Sequence, residues 1–451
     1  MEKQLIQIAD NSKRKLTEEN EPPLTEKQLA NLREIAGVPI KNINLEDNPN
    51  LLVFPQFLSD CKDKIQDSPI FSLEGNEYIR TNNIMGFIGY KDTRLRIHSR
   101  FAQTDEQDFF LHYMLQKVFA VNLFDLKYTS DKTDIFDFLI YLFPAYLKQA
   151  FQQGLYKEYQ THNYNDAHIR GRIDIARHIR QNFPFTGKVA YQIREYSYNN
   201  DLTQLIRHTI EYIHSRQFAR NILHNDSDTK DAVKTIESAT PTYNRQDRQR
   251  IIYQNLRPTQ HPYFSEYRPL QQLCLQILRH DELKYGSKND EIYGILFDGA
   301  WLWEEYLAIV LKDRMTHYVR GRNTQYLFTN PSSQPIVPDF LSKGKHVVAD
   351  AKYIPLDSKH IPPESESALA IYYKTLVYMY RFDCQTGYLL YPYSNDTEIK
   401  SEVLTINNQP KHKLNKLGMV IPQGITDWHR FVGRMQSSEE DFTKRIVATN
   451  E

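Results

Sequence analysis

At 451 residues the chain exceeds what one ordinary core accommodates, so two or three domains are expected. Apolar residues make up 40% and charged residues 25%, and no apolar run approaches the ~18 residues of a membrane-spanning helix, which excludes a helical integral membrane protein. The 56 basic and 56 acidic residues cancel, which counts against a chain that grips a polyanion unaided.

The N-terminal stretch is polar and mixed in charge, without the apolar core of a secretory signal, so a cytoplasmic location is expected. Cys61, Cys274 and Cys384 are odd in number and far apart, which suits neither a disulfide framework nor a zinc knuckle.

Residues 1–45 are charged, carry Pro22 and Pro23, and show one short helical pattern at Glu26 to Ala36; they read as a flexible N-terminal arm. From Leu51 the texture is strand-like, with Tyr90-Lys91-Asp92 separating two runs of a hairpin. Asp105 to Phe119 and Asp134 to Phe151 have helical spacing, the second interrupted by Pro144.

A polar middle segment follows, in which Ile173 and Ile175 alternate before a long helix that Asp201 can cap. Arg170, Arg172, Arg177 and Arg180 gather positive charge around Gly171; a solvated, ion-paired face and a contact surface both fit this pattern. Helical stretches ending at Pro241 and around Gln249, and an amphipathic helix over Ser265 to Glu282, complete a region running from 46 to 285.

From residue 286 to 451 the pattern becomes α/β. Asp298 can cap a helix over Ala300 to Lys312; then come strands at 326–329, 336–342 and 346–355, the last two joined at Lys343-Gly344-Lys345. A helix over Ser367 to Phe382 and the strand GYLLYPY at 387–393 follow. The expected fold is multidomain α+β: a β-rich N-terminal domain, a helical middle and a C-terminal α/β sandwich.

Within the last unit Asp339 lies on one strand of the hairpin and Asp350 with Lys352 on the other, and alternation places Asp350 and Lys352 on one face. Two carboxylates on one sheet face make a hard-oxygen site suited to Mg²⁺, which takes one or two carboxylates plus phosphate oxygens and waters. Phosphodiester hydrolysis needs such a site, with a lysine ammonium to orient the water or offset developing charge. A surface hairpin with one Asp–Lys ion pair is the competing reading, but it leaves unexplained why strands rich in Val and Ile carry these charges.

Taken in order, RGRIDI (170–175), NFPFTGKVAYQIREYSYNNDLTQLIRHTIEYI (182–213), LFDGAWLWEEYLA (296–308), VPDF (337–340) and DAKY (350–353) resemble PD-(D/E)xK nucleases. The particular resemblance, over about residues 50–400, is to McrC subunits of modification-dependent restriction systems, including the LlaJI-like branch. It implies a restriction-endonuclease-like C-terminal domain that cleaves DNA, in systems of the 5-methylcytosine type. It also implies that the region over 46–285 docks onto a hexameric AAA+ GTPase, McrB, projecting a stalk into the ring and stimulating hydrolysis.

Carried over, Asp339 and Asp350 bind Mg²⁺ and Lys352 assists the attacking water. Glu304 matches the family's helix carboxylate, with Glu305 as the substitute if the register is one off; neighbours on a helix point about 100° apart, so only one can face the site. Lys374 stands where such proteins often carry a glutamine, either as a basic phosphate contact or as a lysine extending from an apolar helix. No G-x-x-x-x-G-K-[ST] is present, so the motor is expected on another polypeptide, with Arg170 and Arg172 as candidate contacts to it. A self-sufficient endonuclease that reads its own site, and a non-catalytic scaffold of an AAA+ partner, are the alternatives.

Overall fold

A computed structural model of the protein describes residues 5–16, 24–43, 48, 51–55, 67–75, 77–91, 93–104, 107–119, 137–216, 222–224, 226–259, 261–279, 292–319, 323–329, 332–344, 346–354, 366–394 and 401–446. Pro22, Pro23, Cys61, and the turn residues Asp92 and Lys345 lie outside them. Among the described residues no helix is long and apolar enough to cross a membrane. The chain forms two compact units, one of residues 1–121, 127–135 and 281–451 and one of 122–126 and 136–280, a division that runs across the expected boundaries at 45 and 285.

In the first unit, β1 (Leu5–Ala9) and β2 (Lys13–Lys15) precede α1 (Glu26–Ile35), which opens with a capping box between Thr25 and Gln28. The strands β3 (Leu51–Phe54), β4 (Phe71–Glu74), β5 (Tyr78–Thr81), β6 (Ile84–Tyr90) and β7 (Thr93–His98) follow, then α2 (Phe109–Val118). β1 pairs parallel with β7, and Ile8, Leu32, Ile35 and Ile40 are buried in the core. The segment 1–45 is therefore no loose arm where it is described: its apolar residues are part of the first sheet's core.

β11 (Ile292–Asp298) inserts between β6 and β3, giving the order β1-β7-β6-β11-β3, while β2, β5 and β4 form a separate small sheet. Glycines make this insertion possible. Gly86 and Gly294 adopt φ of 135° and 146°, and a Cβ at either would stand 2.1 Å from a carbonyl oxygen of the facing strand.

β11 leads straight into α9 (Gly299–Val310), where Asp298 caps by accepting from the amides of Ala300 and Trp301. Beyond it lie β12 (Met315–His317), the hairpin of β13 (Gln325–Thr329) and β14 (Ser332–Ile336), β15 (Phe340–Ser342) and β16 (Val347–Ala351). The expected strand over 336–342 is broken at Val337-Pro338-Asp339, since Pro338 has no amide hydrogen to continue a ladder.

The chain ends with α10 (Glu366–Arg381), β17 (Thr386–Tyr393), β18 (Ser401–Ile406), β19 (Gln409–Val420) and α11 (Trp428–Arg445). Six strands make a mixed sheet in the order β12-β15-β16-β17-β19-β18, with β16, β17 and β19 parallel. On one face Val348 and Leu341 pack with Tyr378 and Met379 of α10, and Leu389 and Leu414 with Ile371. On the other lies α9: Trp303 Nε1 donates to the Leu390 carbonyl at 3.2 Å, and the Tyr306 hydroxyl donates to the sulfur of Met419, five residues along the strand from Leu414. The result is a sheet between two helices.

The second unit begins with α3 (Asp137–Phe151), which continues through Pro144 rather than breaking there, and β8 (Glu158–Asp166). β9 (Arg172–Ile173), α4 (Ile175–Gln181) and β10 (Val189–Ser197) come next, with β10 central in a small antiparallel sheet. α5 (Asp201–Ser215), α6 (Ser227–Ala239), α7 (Arg248–Gln254) and α8 (Tyr267–Leu278) close the unit around Leu205, Ile210, Leu270 and Leu273. The cap of α5 is Asn200, one residue before the expected Asp201, in a reciprocal arrangement with Thr203.

Candidate active site

The register that pairs Phe340 with Ala349 and Leu341 with Val348 brings the next residues along, Asp339 and Asp350, opposite one another. Asp339 precedes β15, and its backbone carbonyl accepts from the Tyr318 amide at 2.9 Å, extending the β12–β15 ladder. Its carboxylate is buried, and Oδ2 accepts from the Ala351 amide at 2.7 Å.

Asp350 is wholly buried on a strand of Val and Ala. The Lys352 ammonium touches its Oδ2, and Lys374 Nζ of α10 stands 3.2 Å from Oδ1. Yet both oxygens are held by charge alone, with no hydrogen bond of ordinary geometry. A buried carboxylate in that state costs free energy unless something compensates its lost hydration. Two facing carboxylates, one without hydrogen bonds, are a donor set that fits a hard divalent cation.

Four of the expected residues, Asp339, Asp350, Lys352 and Lys374, are thus brought together. Lys374 reaches the site from an apolar helix, its Nζ 5.8 Å from the Tyr378 ring centroid and paired with Asp350. Glu304 lies on α9, and its Oε1 is 2.8 Å from Nε2 of His317 on β12, a residue the sequence reasoning passed over. The His317 ring packs against Phe340 with centroids 5.3 Å apart. Its strand is three residues long, too short for any periodicity to single it out.

Tyr353, next after Lys352, is buried and links this site to the first sheet. Its hydroxyl is 3.3 Å from Ser99 Oγ, the Arg100 guanidinium lies 5.0 Å from its ring centroid, and Arg100 is paired with Asp10 at 2.5 Å. Burial foremost, and then the charge of Asp10, push the Tyr353 phenol well above its ordinary range. A Cβ on Gly299, the first residue of α9, would stand 2.8 Å from the Tyr353 ring, so the start of the helix bearing Glu304 packs tightly against the residue next to Lys352.

In the second unit, Arg170 donates from Nε to the Tyr191 hydroxyl at 3.4 Å and lies over the Tyr164 ring, while Arg172 is exposed on β9. Arg177 is structural, donating to the carbonyls of Tyr164 and Tyr191. Around them Ile175, Ile179, Phe183 and Phe185 are 61–85% exposed. So large an apolar exposure on a small sheet and helix sets this surface apart from scattered single apolar side chains. A second group of metal-type ligands, Glu211, His214 and Glu237, has ligand atoms within 4.8 Å of one another, but Arg207 already pairs with both carboxylates at 2.7 and 3.4 Å.

The family of McrBC 5-methylcytosine restriction system components matches residues 79–392. The chain belongs to that family. Every candidate residue named above, in both units, falls inside the matched span.

The McrC bound to McrB AAA+ hexamers in a refined half-complex of a tetradecameric assembly from Thermococcus gammatolerans is similar over 98% of this chain and 100% of that chain. Its identity is 15% and the TM-score 0.52, which shows a McrC-like fold. The cryo-EM structure of the McrBC complex from the same organism covers 68% of this chain and 87% of that one, with 16% identity and a TM-score of 0.35. No curated protein matches the chain.

Proposed function

We propose that this McrBC family member is the DNA-cutting subunit of a 5-methylcytosine-type restriction system, a PD-(D/E)xK endonuclease that hydrolyses phosphodiesters with Mg²⁺ when assembled with an McrB-like AAA+ GTPase. The observation that carries the reading is the buried Asp350 carboxylate, facing Asp339 across a strand pair and flanked by Lys352. The order of helix, hairpin, helix and strand around it supports that reading.

Asp339 and Asp350 would hold the cation. Once bound, Mg²⁺ polarises a phosphate oxygen and lowers the pKa of a coordinated water. Lys352 would orient the attacking water and offset negative charge in the transition state. Lys374, partly exposed, suits a contact to a neighbouring phosphate. Glu304 supplies the helix carboxylate.

The thermococcal McrC of similar fold has McrB AAA+ hexamers bound, and we extend that partnership to this chain. The second unit offers the docking surface, with its exposed Ile179, Phe183 and Phe185 beside Arg170 and Arg172. Zero net charge supports a subunit that relies on an assembly to retain DNA. The test is cleavage of methylated and unmethylated plasmid with Mg²⁺, with and without the AAA+ protein and GTP. Cutting of methylated DNA that needs the AAA+ protein supports the proposal; cutting by the chain alone favours a self-sufficient endonuclease.

A further inference from the structure

We infer that His317 is a positioning residue of the cleavage centre, holding the Glu304 carboxylate in place. The inference rests on the nuclease reading above.

His317 Nε2 lies 2.8 Å from Glu304 Oε1, and both side chains are only 17% exposed. Water therefore competes weakly for either group, and a hydrogen bond to a carboxylate in such a place is worth more than on the surface. The ring cannot swing freely, because His317 pairs with Phe340 across the β12–β15 ladder and stacks on it at an interplanar angle of 31°.

That pairing ties the contact to the acidic strands. Phe340 follows Asp339, and the next rung of the same ladder is the Tyr318 amide bonded to the Asp339 carbonyl. The strand that orders Asp339 therefore also carries the group that orders Glu304, although Glu304 arrives on a helix from the opposite face of the sheet. A glutamate side chain has three rotatable bonds, and fixing one of its oxygens removes most of the freedom that would blur a catalytic geometry.

The experiment uses the full chain with its AAA+ partner and GTP, in His317→Phe, His317→Gln, Glu304→Gln and the double variant Glu304→Gln/His317→Phe. Phe keeps a ring against Phe340 and removes the donor; Gln returns a nitrogen near the position of Nε2. His317→Phe is expected to lower the single-turnover cleavage rate at least tenfold with DNA affinity within twofold. His317→Gln should restore most of that rate. The double variant should cleave no more slowly than Glu304→Gln alone, because a residue acting only through Glu304 has nothing left to act on.

Calorimetric titration of Ca²⁺ into the chain supplies a reading independent of cleavage, with affinity expected to fall at least fivefold in His317→Phe. A wild-type assembly that cuts together with a His317→Phe assembly that cuts equally well overturns the role of His317 and leaves the nuclease reading intact. Additive losses in the double variant overturn it too. If the wild type cuts nothing, the nuclease reading fails and the calorimetry decides: equal Ca²⁺ affinities then overturn the positioning role.

Discussion

The Asp339 carboxylate accepts a hydrogen bond from the Ala351 amide at 2.7 Å, so one acidic residue is fastened to the backbone between Asp350 and Lys352. That bond ties the Asp339 carboxylate to the stretch of backbone from which Asp350 and Lys352 project. It also leaves Asp350, without hydrogen bonds of its own, as the carboxylate most in need of a cation.

Metal linkage follows from this. A ligand that binds only the folded state stabilises it by about 2.7 kcal/mol at a hundredfold excess over Kd. Added Mg²⁺ or Ca²⁺ is expected to raise the melting temperature of the wild type by several degrees and that of Asp350→Asn by none, read by scanning calorimetry.

Gly299→Ala tests the brace between the two sheets. The new Cβ would press on the Tyr353 ring at 2.8 Å, and overpacking of this kind costs about 1–3 kcal/mol. The variant should melt lower and cut at least tenfold more slowly, since moving Tyr353 moves Lys352; a paired Tyr353→Leu change, which shrinks the ring site, should recover part of the stability.

Replacing Phe183 and Phe185 by serine should leave the melting temperature within about a degree, because exposed side chains contribute little to folding. The same change should abolish stimulation of the partner's GTP hydrolysis, measured by phosphate release. Arg172→Ala should weaken that stimulation less.

Acid should destabilise the fold in a defined window. Burial, reinforced by Arg96 for His112 and chiefly Arg248 for His208, pushes both imidazoles down to about 4. Below pH 6.5 the unfolded chain takes up protons that the folded one refuses, so stability falls as pH drops towards 4 and is flat above 7. Chemical denaturation between pH 4 and 7 should show this slope, reduced in His112→Phe.

Much of the candidate site was legible because its signals are local. The Asp298 cap, the turn at Gly344 and the alternation through Asp350 and Lys352 each depend on residues a few positions apart. What escaped depends on distance. β1 reads as five unremarkable residues until it pairs with β7, 89 positions on, and β11 belongs to a sheet whose other strands end at His98. Pro144 sits inside a helix that tertiary packing sustains. His317 acquires its meaning only from Glu304, thirteen residues earlier on a helix.

The most direct measurement is cleavage of methylated plasmid by complexes assembled on wild-type and on Asp350→Asn chains, with GTP hydrolysis followed in the same tubes. The account predicts that both assemblies hydrolyse GTP alike and that only the wild type cuts, the difference being at least a hundredfold, as expected when a metal-binding catalytic group is lost, roughly 3 kcal/mol of transition-state stabilisation. Undiminished cutting by the Asp350→Asn assembly would contradict it.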